Sequence, residues 1–191
     1  MLAVRRLFQQ RPLLGNALAY GTLFVGAEFT QQTLLNRVLV RDKEQPKQPY
    51  DTATLGRYAV LGYTVNPTIL YYWYRWLDKR LVGTAVSTVA KKLVLDLGVI
   101  GPINIFIFFT AMALMERKED LFAEHKEKYI GTCLKQVYFW LPAQAVNFFL
   151  LPTRVRVLYV GACSFLWLNL LCWIKRSPSA LKDTVSAQKT P

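Results

Sequence analysis

The sequence predicts an all-α fold, a multi-span bundle of membrane helices, and two observations lead to that class. Hydrophobic residues make up 53% of the 191-residue chain and charged residues only 19%. Four segments contain no Asp, Glu, Lys or Arg: 58–74, 97–115, 136–153 and 157–174. A helix in a soluble protein needs a polar face, whereas a helix that spans a bilayer needs about 20 apolar residues. Charge-free segments of this length are therefore typical of membrane spans.

The first two predicted spans cover about 14–40 and 52–77. The first span is rich in small residues four positions apart, such as Ala17 and Gly21, and this spacing lets two helix backbones approach closely in lipid. The second contains Pro67, which should interrupt the helix because proline lacks the backbone N–H of a regular turn. Between the two spans, a polar linker with prolines predicts a surface loop.

The third predicted span covers about 88–115, and Gly101 and Pro102 should loosen its middle. The most charged part of the chain follows it. Acids and bases recur there at helical spacing, which predicts a surface helix near 117–130. We expect His125, the only histidine in the sequence, to be a solvated residue of that helix.

The C-terminal part contains one clear span and one segment that the sequence leaves open. The clear span covers about 155–174. Segment 137–151 is apolar but short, so it is either a fifth span or a re-entrant segment. We expect a single membrane domain over 1–176, made of four spans plus this segment, and a disordered polar tail over 177–191.

The N-terminal segment 1–15 resembles a mitochondrial targeting segment. It carries Arg5, Arg6 and Arg11, and no acid precedes Glu28. Such segments are amphipathic, rich in arginine and poor in acids. The segment leads directly into the first predicted span, so we expect it to be retained.

The charge distribution predicts lipid partners. The net charge is +12, and the basic residues lie at the ends of the apolar segments. This placement favours contact with the bilayer and with anionic lipids such as cardiolipin. No basic patch on a folded polar surface is evident, so we expect no nucleic-acid partner. A homo-oligomer is left open.

Several motifs resemble one known family over most of the chain. Near the N-terminus these are Pro12, Gly21, Gly26, Glu28, Gln31 and Gln32. The second element reads N-P-T-I-L-Y-Y-W-Y-R-W-L-D over 66–78, and a third motif is Lys91, Lys92 and Asp96. The most specific motif is C-terminal: Trp140, Pro142, Gln144, Asn147 and Phe148, followed by Pro152, Arg156, Trp167 and Trp173. Their order and spacing resemble the Mpv-seventeen / 22-kilodalton peroxisomal membrane protein family.

The resemblance implies a small multi-span protein of the mitochondrial inner membrane or of the peroxisomal membrane. Members are thought to form pores or to support the homeostasis of membranes and mitochondrial DNA. The arginine-bearing N-terminus favours the mitochondrial inner membrane, and the C-terminal residues Lys189, Thr190 and Pro191 form no peroxisomal address.

Six polar residues are the candidates for pore-lining or buried polar sites: Glu28, Gln32, Asp96, Gln144, Asn147 and Arg156. A carboxylate at membrane depth is unfavourable unless it is paired or hydrated, so Glu28 is a functional candidate by default. One interpretation is a polar stripe along a water path. The other is structural pairing, of Glu28 with Arg156 or Lys92 and of Asp96 with Lys92.

The predicted function is a channel for small solutes, with a non-conducting membrane organiser as the alternative. The sequence contains no HExxH, GxSxG, P-loop or GxGxxG motif, and its three cysteines have no zinc-site spacing. We therefore expect no enzyme activity, cofactor or metal. The channel hypothesis predicts that Glu28, Gln32, Gln144 and Asn147 converge on one polar cavity.

Overall fold

The computed structural model describes residues 10–35, 49–83, 85–151 and 153–177, and its regular elements within those ranges are all helical. The predicted fold class, all-α, is confirmed for this part of the chain. Most of the predicted targeting segment, most of the polar linker and nearly all of the predicted tail lie outside the described residues.

Five long helices follow one another in the part of the chain that the structure describes, and two of them, the second and the third, contain a π-helical turn between two α-helical parts. Helix α1 is Pro12–Thr33. Helix α2 consists of Thr52–Val60, a π-helical turn over Leu61–Val65, and Asn66–Arg80. Helix α3 consists of Val86–Leu95, a π-helical turn over Asp96–Ile100, and Gly101–Met115. Helix α4 is Ala123–Phe149, and helix α5 is Thr153–Arg176.

The two π-helical turns lie directly before prolines. The turn over Leu61–Val65 precedes Pro67, and the turn over Asp96–Ile100 precedes Pro102. Proline cannot donate the i→i−4 hydrogen bond, and its ring crowds the preceding turn. A widened turn absorbs this conflict without ending the helix, so the predicted interruptions take the form of π-helical turns.

Helix α4 differs from the prediction. The sequence separated a charged helix near 117–130 from an apolar segment over 137–151, but one helix of 27 residues, Ala123–Phe149, contains most of both. The change from charged to apolar composition alters the surroundings of the helix and breaks no backbone hydrogen bond. Pro142 lies inside α4 without ending it.

Helix α1 contacts two other long helices of the bundle. It packs against α2 on one side and α5 on the other, and α4 packs between α5 and α3. At the α1–α2 crossing, a Cβ built on Gly62 would lie 2.9 Å from the Cα of Gly21. The two backbones therefore touch at Gly21, one of the small residues for which the sequence predicted close approach.

Three buried aromatic rings form a layer across the interior, and we call Phe24, Tyr58 and Phe108 the aromatic layer. Their exposed fractions are 2%, 2% and 4%. The ring centroids of Phe24 and Tyr58 are 6.4 Å apart, and those of Tyr58 and Phe108 are 5.8 Å apart. Side chains of α1, α2 and α3 thus meet in the centre of the bundle.

His125 is buried, so the prediction of a solvated histidine is wrong. Its Nε2 lies 3.1 Å from Thr110 Oγ1 and 3.1 Å from the carbonyl oxygen of Phe106. The ring centroid of Phe106 is 4.6 Å from that of His125. The charged start of α4 turns one face toward α3, and His125 lies on that face.

Among the described helices, one is long and apolar enough by length and composition alone to cross a membrane. This helix is α3, Val86–Met115, with 30 residues. The four-span count therefore remains a prediction. In its most apolar 18-residue segment 39% of the residues are buried inside the bundle, and the others are half-buried or exposed.

Candidate functional site

A cavity of about 200 Å³ lies between the five helices, and all five contribute to its wall. We call it the central cavity. Its polar lining residues are Asn66, Asp96, Asn104, Gln136, Gln144 and Ser164. Its aromatic lining residues are Tyr20, Phe24, Tyr74, Phe108, Trp140 and Trp167. The interior of the bundle therefore offers both hydrogen-bonding groups and aromatic faces.

Asp96 is held in the wall of the central cavity by two donors from α2. The indole Nε1 of Trp73 donates to Oδ1 at 2.7 Å, and the hydroxyl of Tyr74 donates to Oδ2 at 3.1 Å. Lys92 does not pair with Asp96 as predicted but forms an ion pair with Asp78 at 2.5 Å. The prediction assumed a pair within α3, whereas both contacts cross from α3 to α2.

Two amide residues of α4 lie at the central cavity, at different heights. Gln144 accepts a hydrogen bond of 3.1 Å from Asn147 Nδ2. Gln136 lies against α3 at Gly101, where a side chain on residue 101 would collide with the Gln136 amide. The absence of a side chain at Gly101 thus makes room for Gln136 in the cavity wall.

A second cavity, of about 260 Å³, lies at the end of the bundle where α1 and α5 finish, and we call it the end cavity. Its charged lining residues are Asp51, Glu116, Lys118, Glu124, Lys175 and Arg176. Lys175 Nζ lies 2.9 Å from Glu116 Oε2 and 2.6 Å from Glu124 Oε2. The loop after α3 is therefore tied to the end of α5 by charged groups.

Two carboxylates of the end cavity, those of Glu124 and Asp51, are held in the ionised form by their hydrogen-bond partners. Burial raises the pKa of Glu124, but hydrogen bonds from Lys118 and Lys175 outweigh that effect and the pKa falls below its ordinary value. The Asp51 carboxylate caps α2 by accepting hydrogen bonds from the Thr54 hydroxyl and backbone N–H, and these lower the pKa of Asp51. Both carboxylates are thus stabilised as anions.

Glu28 is fully buried beside the end cavity and forms an ion pair with Arg176. Gln32 Nε2 donates a second hydrogen bond to Glu28 Oε1 at 2.8 Å. Gln32 Oε1 in turn accepts from the backbone N–H of Asp51 at 2.8 Å. The expected partners of Glu28, Arg156 and Lys92, were wrong, because the end of α5 and not its start lies beside Glu28.

The aromatic layer separates the two cavities. Phe24 and Phe108 line the central cavity, and Tyr58 lines the end cavity. Because the three rings are almost fully buried and in contact, the two cavities do not form one open path in this conformation.

The structure divides the predicted site residues between the central cavity and the cluster beside the end cavity. Asp96 and Gln144 line the central cavity, and Asn147 is hydrogen-bonded to Gln144. Glu28 and Gln32 belong to the cluster beside the end cavity, so the four residues expected to converge do not do so.

Arg156 lies near the start of α5, where its Nε donates to the carbonyl oxygen of Leu151 at 3.0 Å. The sequence interpretation missed Asn104, Gln136 and Arg176. Asn104 is detectable as an amide inside the apolar segment 97–115, and Gln136 as the first residue of segment 136–153. The pairing of Arg176 with Glu28 leaves no signal in the sequence.

The surface and the interior of the bundle define the class of protein. Each helix exposes large apolar side chains, among them Leu18, Val60, Val94, Leu134 and Leu166. Polar side chains are buried instead, including Glu28, Gln31, Gln32, Thr132, Gln136 and Asn147. Exposed apolar side chains around an interior that holds several buried polar side chains are the arrangement expected of helices in a bilayer.

Comparison with known proteins identifies the family. The chain is 30% identical over 167 residues to the Mpv17-like protein of Xenopus laevis, which covers 87% of this chain and 78% of that protein. The sequence profile of the Mpv17 / PMP22 family matches residues 113–172. The chain therefore belongs to the Mpv17 / PMP22 family, as its motifs suggested.

Two further relatives bear on localisation. The mitochondrial inner membrane protein Mpv17 of Rattus norvegicus is 25% identical, over 90% of this chain and 94% of that protein. The PXMP2/4 family protein 4 of Dictyostelium discoideum is 27% identical, over 82% of each. The name of the first relative confirms the predicted localisation, the mitochondrial inner membrane, and the name of the second fits the alternative, the peroxisomal membrane. No solved structure matches the chain.

Proposed function

We propose that the protein forms, or contributes to, a channel for small solutes across the mitochondrial inner membrane and so supports membrane homeostasis. One observation carries this proposal: polar side chains line a cavity in the interior of a bundle whose outer surface is apolar. Burying polar groups among membrane helices is unfavourable unless they are paired or hydrated. A water-filled path gives them that hydration.

In this proposal the helices cross the bilayer as the four predicted spans, with the shorter apolar half of α4 as a fifth span or a re-entrant segment. Helix α5 has 24 residues, and about 20 residues suffice to cross the hydrocarbon core. The exposed apolar residues of each helix then face lipid.

The conformation described is a closed one under this proposal. The aromatic layer lies between the central cavity and the end cavity, and its apolar rings would exclude water from the gap between them. Hydrophobic constrictions gate channels by such dewetting. Conduction would require the rings to rotate or the helices that carry them to separate.

A test is to fill the central cavity and measure conductance in a planar bilayer. Ser164→Trp places a bulky side chain on the cavity wall of α5. Leu166→Trp is the matched control, because it adds the same bulk to the exposed face of the same helix. We expect Ser164→Trp to lower the conductance at least fivefold and Leu166→Trp to leave it unchanged.

Two outcomes would contradict the channel proposal. No conductance of the wild-type protein at high protein load, across both voltage polarities, would favour the alternative function. Equal conductance of Ser164→Trp and the wild-type protein would show that ions do not pass through the central cavity.

The alternative is a non-conducting membrane organiser, and the cluster around Glu28 favours it. That carboxylate is paired with Arg176 and packed against Gln32 without lining either cavity. Hydrogen bonds of this kind hold membrane helices together. The organiser would act through bound proteins or lipids, and its partners would co-purify with the chain from mild detergent.

We also propose that the protein has no enzymatic activity and binds the bilayer through anionic lipids such as cardiolipin. Lys79 and Arg80 form the last turn of α2 and are exposed. Basic residues at span ends attract anionic headgroups, at about 1 kcal/mol each. Thermal unfolding in nanodiscs with and without cardiolipin would measure this, and mass photometry of the same samples would show whether a homo-oligomer forms.

A further inference from the structure

The central cavity has a chemistry more specific than a water-filled path requires. Among its lining residues that the structure describes, Asp96 is the single charged side chain. No lysine or arginine is among those lining residues, and the nearby Lys92 is paired with Asp78. The wall therefore carries one negative charge that no lining cation balances.

The second feature of the wall is its aromatic content. Each of the five helices contributes an aromatic side chain to it: Tyr20 and Phe24 from α1, Tyr74 from α2, Phe108 from α3, Trp140 from α4 and Trp167 from α5. The faces of such rings carry partial negative charge and attract cations, most strongly in the case of Trp. Aromatic walls around one carboxylate are the usual environment of a quaternary ammonium ligand.

The third feature is a pair of amides with unused acceptors. The side-chain oxygens of Asn104 and Gln136 are buried and accept no hydrogen bond from the described residues, and the Gln136 residue is only 8% exposed. Buried polar atoms are normally paired. A guest that carries a hydroxyl or ammonium N–H could supply the missing donor.

We propose that the central cavity is a binding site for a small organic cation, a hydroxylated or substituted ammonium compound, with Asp96 as its counter-ion. The inference rests on the proposed function because it assigns a ligand class to the same cavity. The aromatic rings would surround the ammonium group, and the amides would bind a hydroxyl of the ligand. Trp73 and Tyr74 would hold the carboxylate in place for this contact.

The test compares two probes of the same shape and different charge. Choline carries a quaternary ammonium group, and 3,3-dimethyl-1-butanol replaces its nitrogen by carbon. Isothermal titration calorimetry on the purified full-length protein in nanodiscs gives the affinity for each probe. We expect choline to bind at least tenfold more tightly than the neutral alcohol. Equal affinity for the two probes, or no binding of either, would overturn the proposal.

Variants then assign the preference to the cavity. Asp96→Asn keeps the shape of the side chain and removes its charge, so the preference for choline should disappear. Asp120→Asn is the matched control, because Asp120 is an exposed carboxylate that does not line the cavity, and it should keep the preference. If Asp96→Asn still prefers choline to the neutral alcohol, Asp96 is not the counter-ion. A general loss of structure is distinguishable, because it would weaken the binding of both probes alike.

A second variant keeps the test decisive where Asp96→Asn fails to fold. Trp140→Leu removes one aromatic face from the wall and should weaken choline binding at least threefold, with a smaller effect on the alcohol. An equal effect on both probes would contradict the aromatic part of the site.

The binding and conductance measurements test the cation site and the channel independently. Conductance without a choline preference would leave the proposed channel standing and remove the cation site. A choline preference that depends on Asp96, in a protein that does not conduct, would support the cation site and remove the proposed channel.

Discussion

Replacing Arg176 by alanine should destabilise the bundle strongly, because it leaves the fully buried Glu28 carboxylate without its counter-ion. Removing one partner of a buried ion pair costs about 3–5 kcal/mol. The Arg176 side chain is 28% exposed, and Gln32 continues to donate to the carboxylate, so we expect the lower end of that range. The penalty has an upper limit of roughly 3.5 kcal/mol, the cost of protonating a carboxylate at pH 7, since the side chain would otherwise take up a proton.

The assay is thermal unfolding of the purified protein in detergent, followed by circular dichroism. For a chain of this length, a loss of 1 kcal/mol lowers the unfolding temperature by about 2–4 °C, so Arg176→Ala should lower it by roughly 6–12 °C. Arg75→Ala is the control, because the Arg75 guanidinium is exposed and donates to the Tyr71 hydroxyl. Its effect should stay within about 0.5 kcal/mol.

A double variant separates charge burial from lost packing. Glu28→Gln combined with Arg176→Ala removes the buried charge and keeps a side-chain oxygen that can accept the hydrogen bond from Gln32 Nε2. The double variant should therefore be more stable than Arg176→Ala alone, with a coupling energy of about 2 kcal/mol or more. The reasoning is refuted if Arg176→Ala behaves like Arg75→Ala, or if the two changes are simply additive.

The remaining predictions concern packing, pH and the aromatic layer. Gly62→Ala should destabilise the protein by about 1–3 kcal/mol, because the added Cβ would meet the backbone of α1. Gly56→Ala is the control, since a Cβ at Gly56 would have nothing within 4 Å. Chemical denaturation in detergent compares the two variants, and equal stability would contradict the close crossing of α1 and α2. The pKa of Glu124 is lowered in the folded protein, so the ionised Glu124 stabilises the fold above its ordinary pKa near 4.5, and this stabilisation is lost as the pH falls below that value. The unfolding temperature should therefore drop as the pH falls through this range, and it should drop less steeply in Glu124→Gln. Equal pH dependence of the unfolding temperature in the variant and the wild-type protein would refute this role of Glu124. Phe108→Leu removes a ring from the aromatic layer and should raise the planar-bilayer conductance at least twofold; an unchanged conductance would show that this layer is not the constriction.

The fold was largely predictable from the distribution of charge, because apolar segments free of charge must lie in long helices. Pro67 and Pro102 also marked where α2 and α3 depart from regular geometry. The boundary of α4 was not predictable in the same way. A change from charged to apolar composition looks like the end of one element in the sequence, yet the hydrogen bonds of a helix continue across it.

The site was only partly predictable, because helical spacing reveals neighbours within a helix and not between helices. Asp96 and Gln144 were identified as polar residues in apolar surroundings, and both line the central cavity. The predicted pairings were wrong where the partner observed in the structure lies on another helix, as for Glu28 and Asp96. Glu28 pairs with Arg176, 148 positions away, and no pattern within α1 or α5 specifies how far along each other those helices pack.

The π-helical turns have a consequence for the way the cavity wall could change. A π-helical turn contains one residue more than an α-helical turn, and one residue corresponds to a rotation of about 100° around the helix axis. Asp96 opens the turn of α3, and Asn66 directly follows that of α2; both line the central cavity. Deleting one residue from either turn would restore a regular helix. The helical part before the turn would then be rotated about the helix axis relative to the part after it. A substitution alters one group of the wall, whereas a single insertion or deletion at these turns exchanges a whole helix face.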